Sequence, residues 1–197
     1  MAIRNEITSW NINGHAVEYD DDIHAYIVDG LIVPSVTQIL GKKYADEFAN
    51  VSREILNEAS RKGTAMHKAI EEYEATGAED GSQELRNYKF LKAHYGWINK
   101  ENEVPILYEE DNKVIYAGRL DQIIEIDGKL GINDFKRVSA PNKEKIALQL
   151  NLYKLGYEQS YHKQIDFLRF THLREDIRKF VKIPINEEAI RNLLKGE

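Results

Sequence analysis

GRLDQIIEIDGKLGINDFK, residues 118–136, reads as two short strands joined at Asp127-Gly128, a dipeptide that favours the tight two-residue hairpin turn. A two-residue loop pairs Ile126 with Lys129, Ile124 with Gly131 and Gln122 with Asn133. It therefore sets Asp121 opposite Asp134 and Arg119 opposite Lys136. Side chains alternate along a strand, so Arg119, Asp121, Asp134 and Lys136 emerge on one face, with Ile123 and Ile132 further along it. Two carboxylates across a ladder, with Cβ atoms roughly 5 Å apart, repel. A divalent cation held between them is the simplest counter-charge, because hard cations take oxygen ligands. The pattern Asp-x-Lys occurs three times, at Asp111, Asp127 and Asp134. Only Asp134-Phe135-Lys136 ends an apolar strand and has an acidic residue on its neighbour.

Working outward, residues 113–126 extend the first strand back through a bend at Gly118, and residues 103–109 form a strand before it. Pro105 suits an edge position in that sheet. After Lys136 a loop leads to a helix from about residue 143 to 157, whose one face carries Ile146, Gln149, Leu150, Tyr153 and Tyr157. A buried amide at Gln149 requires partners. Two further strands, 164–171 and 177–183, and a closing helix, 187–194, complete the C-terminal part. Upstream, residues 15–33 alternate apolar and polar around acidic and glycine turns, which predicts a small antiparallel meander. Ser35 reads as the N-cap of a short helix, 36–40. Residues 50–62 and 64–76 read as two helices separated at Gly63, the glycine allowing the second to approach another backbone closely. His67 then falls near a helix N-terminus, beside the stripe Met66, Ala69, Ile70 and Tyr73; by pattern alone a packed or capping residue is the commoner reading there and a ligand the rarer one. Residues 82–100 read as one long helix.

At 197 residues the chain predicts a single domain, 1–197. With no cysteine, disulfides, thiolate-bound zinc and iron–sulfur clusters are excluded. No run approaches membrane-spanning length and the first residues lack a signal-peptide core, so the expected place is the cytoplasm. A net charge of -6 argues against a protein that coats nucleic acid non-specifically, though not against an enzyme acting on it.

Four motifs in order carry a resemblance: Gly63-Thr64-Ala65-Met66-His67, Ala117-Gly118-Arg119-Leu120-Asp121, Ile132-Asn133-Asp134-Phe135-Lys136 and Gln149-Leu150-Asn151-Leu152-Tyr153. Together they look like the PD-(D/E)XK nucleases of the RecB and lambda-exonuclease branch. The stretch Val33 to Leu40 is similar to phage-encoded and mitochondrial-genome-maintenance-type members. The resemblance implies an α/β, restriction-endonuclease-like mixed sheet flanked by helices, here with an N-terminal β-meander. It implies Mg²⁺ or Mn²⁺ held by His67, Asp121, Asp134 and the Phe135 carbonyl. Lys136 would handle the attacking water, and Gln149 and Tyr153 would support it. Arg119, Arg137, Ser139 and Lys68 are the candidate nucleic-acid contacts, within a wider basic rim that includes Lys42, Lys43, Arg61, Lys62, Lys143 and Lys145. Arg137 stands where many relatives carry a hydroxyl, and Asn133 interrupts an otherwise apolar strand. The expected function is a metal-dependent DNA exonuclease of phage or prophage origin, acting in a bacterial host cell, with a phage single-strand-binding or annealing protein as partner. An endonuclease using the same site, and a non-catalytic nucleic-acid-binding protein on the same fold, are the alternatives.

Overall fold

The computed structural model describes residues 7–195. Its N-terminal sheet is an antiparallel meander of four strands in sequence order, β1 (Ile7–Ile12), β2 (His15–Asp20), β3 (Ala25–Val28) and β4 (Leu31–Val33). The first of these was not read from the sequence, because ITSWNI has no clear alternation. Ser35 caps α1 (Val36–Lys43) through a capping box, accepting from the Gln38 N–H while the Gln38 side chain accepts from the Ser35 N–H. The helix continues through Gly41 rather than stopping there.

Residues 53–76 form one helix, α2 (Arg53–Thr76), where two were expected. Ser52 caps its start and Gly77, in the left-handed conformation, ends it. An isolated glycine inside a well-capped helix costs only about 1 kcal/mol and does not break it. A Cβ added at Gly63 would meet nothing within 4 Å, so the expected close approach is absent. His67 consequently lies in the middle of a long helix, not at its N-terminus. The helix expected over 82–100 is α3 (Gln83–Tyr95), stopped by Gly96 in the left-handed region. The residues after it belong to the sheet.

That sheet runs β5 (Ile98–Glu110), β6 (Lys113–Ile126), β7 (Lys129–Lys136), β8 (Phe167–Leu173) and β9 (Arg178–Ile183), in that spatial order. It is mixed: β7 pairs parallel with β8 across the helical crossover α4 (Lys143–Tyr161), and the other neighbours are antiparallel. β5 is an edge, as Pro105 suggested. Both turn residues of the β5–β6 hairpin, Asp111 and Asn112, and of the β6–β7 hairpin, Asp127 and Gly128, have positive φ, the requirement of a type I′ turn. The chain closes with α5 (Glu187–Lys195).

Three apolar clusters hold these layers. One face of the sheet, with Ile123, Ile132, Leu168 and Phe170, packs on α4 together with α1 and α5. The opposite face, with Ile124, Phe135 and Phe180, packs on Met66 and Ile70 of α2 and on Leu85, Tyr88 and Leu91 of α3. The meander lays Val17, Tyr26, Val28 and Val33 on Leu107 and Ala117. Helix α4 is buried nearly all round, including Leu148, Asn151, Leu152 and Lys154, so the single apolar face read from the sequence is too narrow. No helix among the described residues is long and apolar enough to cross a membrane.

Candidate metal centre and cleft

The β6–β7 ladder follows the expected register from Ile126↔Lys129 to Gln122↔Asn133 and ends there. Asp121 and Asp134 are therefore not ladder partners, nor are Arg119 and Lys136. Instead the Asp121 side chain crosses the gap, and its Oδ2 accepts the Phe135 backbone N–H at 2.6 Å. The last rung is locked by a buried polar chain. Thr171 Oγ1 donates to Asn133 Oδ1 (2.7 Å), Asn133 Nδ2 to Gln122 Oε1 (3.1 Å), Gln122 Nε2 to the Tyr88 hydroxyl (2.8 Å), and that hydroxyl to Glu74 Oε1 (2.7 Å). Asn133, which interrupts an otherwise apolar strand, is the centre of this chain. A polar chain with its partners satisfied fixes one register, because a slip would orphan several groups at once.

Beyond the locked rung, the strands diverge and their acids separate in role. Asp121 lines a cleft of about 420 Å³ that also contains His67, Glu103, Arg119, Tyr153 and residues of the meander. His67 Nδ1 stands 3.6 Å from Asp121 Oδ1, and its ring meets Phe135 edge-on. Asp134 lies deeper, 1% exposed, with Oδ2 2.5 Å from Lys136 Nζ in an ion pair that lacks hydrogen-bond geometry. Its Oδ2 is thus a buried acceptor with no hydrogen-bond partner. Burial raises the Asp134 carboxyl above the usual range, the Lys136 ammonium offsets part of this, and the Asp121 charge adds to it. For Lys136, burial alone would lower the pKa, but the carboxylates of Asp134 and Asp121 outweigh it and the ammonium is retained.

Glu103 was not singled out from the sequence. It sits on β5 between the pairs Asn102↔Gln122 and Val104↔Leu120, level with Asp121, and has a left-handed φ of 50°. One ligand atom each from His67, Glu103 and Asp121 lie within 4.8 Å of one another. Glu103 Oε2 is ion-paired to Arg119 Nε at 2.7 Å. Burial, then the nearby Asp121 charge, pushes its carboxyl up to about 7. The only sequence signal was its position opposite Asp121; the backbone twist that aims it has no residue-type signature.

The remaining expected residues divide. Tyr153 is buried at the cleft floor, where burial keeps its phenol protonated, and Gln149 Nε2 donates to its hydroxyl at 3.1 Å. Its ring and Val36 bracket Gly118: an added Cβ there would stand 3.3 Å from Tyr153 Cε1 and 3.2 Å from Val36 Cγ2. Phe135 is buried, with its N–H committed to Asp121. Arg119 reaches the cleft. Arg137 does not serve as a free phosphate contact: its side chain is 9% exposed, pairs with Glu84 at 2.6 Å and also meets Glu175. Ser139 lines a separate apolar hollow with Phe48 and Ile55, and Lys68 lies on the solvent side of α2 beside Glu72; neither lines the cleft.

Two carboxylates and an imidazole, from Glu103, Asp121 and His67, near one another are a donor set suited to a divalent cation of the Mg²⁺ or Mn²⁺ type, whereas Asp134 lies outside that group and its Oδ2 is engaged by the Lys136 ammonium. No protein-family model matches the chain, and no curated protein matches it. Among solved structures, the chain is similar to one described as "Crystal structure of SSO0001", at 18% identity, covering 83% of this chain and 73% of that one, with a TM-score of 0.48.

Proposed function

We propose that the protein is a metal-dependent phosphodiester hydrolase acting on DNA, of the exonuclease kind. The observation that carries this reading is the gathering of His67, Asp121 and Glu103 in one cleft, close enough to the ion-paired Asp134 for the charges of Asp121 and His67 to act on it. His67, Asp121 and Asp134, with the Phe135 carbonyl, are the residues we assign to holding the cation, and Glu103 joins them from β5. A bound divalent cation supplies Lewis-acid polarisation of a phosphoryl oxygen and a more acidic water.

The chain's own groups divide the remaining work. Lys136, kept protonated by two carboxylates, places a positive charge where the phosphoryl group becomes more negative in the transition state. Asp134 holds that ammonium in position from two residues away on the same strand. The neutral Tyr153 hydroxyl and the Gln149 amide provide uncharged polar groups at the floor. Arg119, released from Glu103, is positioned to take a phosphate oxygen. The locked Gln122–Asn133 rung sets the separation between the two strands that carry the acids.

The test is incubation of end-labelled linear single-stranded and duplex DNA, and of closed circles, with Mg²⁺, Mn²⁺ or chelator. Shortening of linear DNA from an end, higher with Mn²⁺ because an imidazole joins the oxygen donors, and abolished in Lys136→Ala, is the expected result. Equal cutting in chelator, or a Lys136→Ala variant as active as the wild type, refutes the reading. Cutting of circles makes it an endonuclease.

A further inference from the structure

The chain has 33 acidic residues, yet none falls between Leu85 and Lys100 or between Ile177 and Asn186. The first stretch holds most of α3 and the start of β5, and the second holds β9, the outer strand of the five-stranded sheet. The two meet on the sheet face that packs on α2 and α3, where Phe180 of β9 shares a cluster with Leu85, Tyr88 and Leu91. Lys89 and Lys92 are neutralised from outside these stretches, by Glu79 and Glu74. Arg86 is not, because its guanidinium donates to the Gln83 side chain and the Gly81 carbonyl, which are uncharged.

Strand alternation puts Arg178, Phe180 and Lys182 on this same face. Arg178 lies 3.7 Å from the ring centre of the exposed Phe90, which stands one helical turn beyond Arg86 on α3. Arg169 of β8 lies 4.7 Å from the ring centre of Phe180 and is the ladder partner of Lys182. Like charges directly opposite each other on a ladder repel. No ion pair among the described residues relieves them, and none engages Arg178. Arg169 Nε is buried and has no hydrogen-bond acceptor. Lysines on an edge strand deter unwanted pairing, but Arg169 sits half-buried on an inner strand, where that role does not apply.

We propose that Arg86, Arg178, Arg169 and Lys182 form a track for the phosphodiester backbone of a nucleic acid, outside the cleft. Cations without a local acid draw a polyanion, and a guanidinium seated on an aromatic ring has less freedom left to lose when it takes a pair of phosphate oxygens. Charges spread along two neighbouring elements suit a ligand that repeats its charge at every unit. Such contacts position a strand without reading its sequence. They also let a chain of net charge -6 hold DNA, since the local field and not the total decides where a polyanion settles. None of the four lines the cleft with Asp121 and His67. The choice of nucleic acid among polyanions rests on the nuclease reading, to which the track adds a grip on the substrate away from the phosphate being cut.

The experiment measures affinity by fluorescence anisotropy in chelator, using a labelled blunt duplex over a series of salt concentrations. It compares wild type, Arg178→Gln/Lys182→Gln and a charge-matched control, Lys113→Gln/Lys163→Gln, all four positions being exposed. The track variant should bind about tenfold more weakly, and the slope of log affinity against log salt should fall by about 2, while the control behaves as wild type. Circular dichroism melts establish that the variants are folded; if the double variant is not, Lys182→Gln alone should show about half the change in slope. Equal affinity and slope for the track variant and wild type overturn the track, as does an equal loss in the control or a wild type that binds no duplex. A glutamate-rich peptide held more tightly than the duplex, and released by the same variant, assigns the face to a protein partner and overturns it too. Wild-type protein that binds through the track yet cuts nothing in Mg²⁺ or Mn²⁺ refutes the nuclease reading separately. Wild-type protein that cuts, with a track variant that binds unchanged, refutes the track alone.

Discussion

Glu103→Gln should stabilise the metal-free protein at alkaline pH while weakening its hold on a cation. Glu103 titrates near 7 in the fold against an ordinary 4.5, because burial and the Asp121 charge both oppose its ionisation. A group raised in this way contributes its full stability below about 4.5 and loses it as pH rises through about 7. The difference corresponds to about 3 kcal/mol of unfavourable interaction once Glu103 is charged. Its side chain is 26% exposed and its ion pair with Arg119 is weakened by the change, so a net gain of about 1–2 kcal/mol is expected. For a domain of this size that is roughly 2–8 °C in melting temperature. The assay is thermal unfolding in chelator at pH 5 and pH 8, repeated at pH 8 with Mn²⁺. Wild type and Glu103→Gln should melt together at pH 5, the variant higher at pH 8, and the order should narrow or reverse when Mn²⁺ is present. Parallel melting curves across that pH range in chelator would refute the reasoning.

Two further changes probe the supports of the site. Asn133→Leu strands both Thr171 Oγ1 and the Gln122 carbonyl oxygen in a fully buried place, so it should cost about 2–4 kcal/mol, read as a lower urea midpoint, and reduce Mn²⁺ affinity as the rung loosens. Arg137→Ala leaves Glu84 buried without its partner and should lower stability by about 2–4 kcal/mol, measured by chemical denaturation, with no change in oligonucleotide affinity; a selective loss of DNA binding would restore Arg137 to the substrate surface.

The hairpin at residues 118–136 was legible because its information is local. Asp127-Gly128 sets the turn, alternation sets the faces, and the register follows by counting. What local pattern could not give was the point at which pairing stops. That point depends on Gln122 and Asn133 meeting Tyr88 and Thr171, residues distant in sequence. Glu103 was missed for a related reason, since its role comes from a left-handed residue in a strand. Gly63 misled because a helix break and a tolerated helix glycine look alike until the caps at Ser52 and Gly77 are weighed together. Arg137 misled because a charged residue after a strand reads as surface, whereas here two carboxylates from separate segments enclose it.

The most direct measurement is the anomalous scattering of Mn²⁺ in crystals grown with the metal. The account predicts a peak in the cleft within coordinating reach of His67 and Asp121, with Asp134 turned toward it, and its loss in Asp121→Asn. Manganese bound elsewhere, or none at saturating concentration, would contradict the convergence of these side chains on a cation.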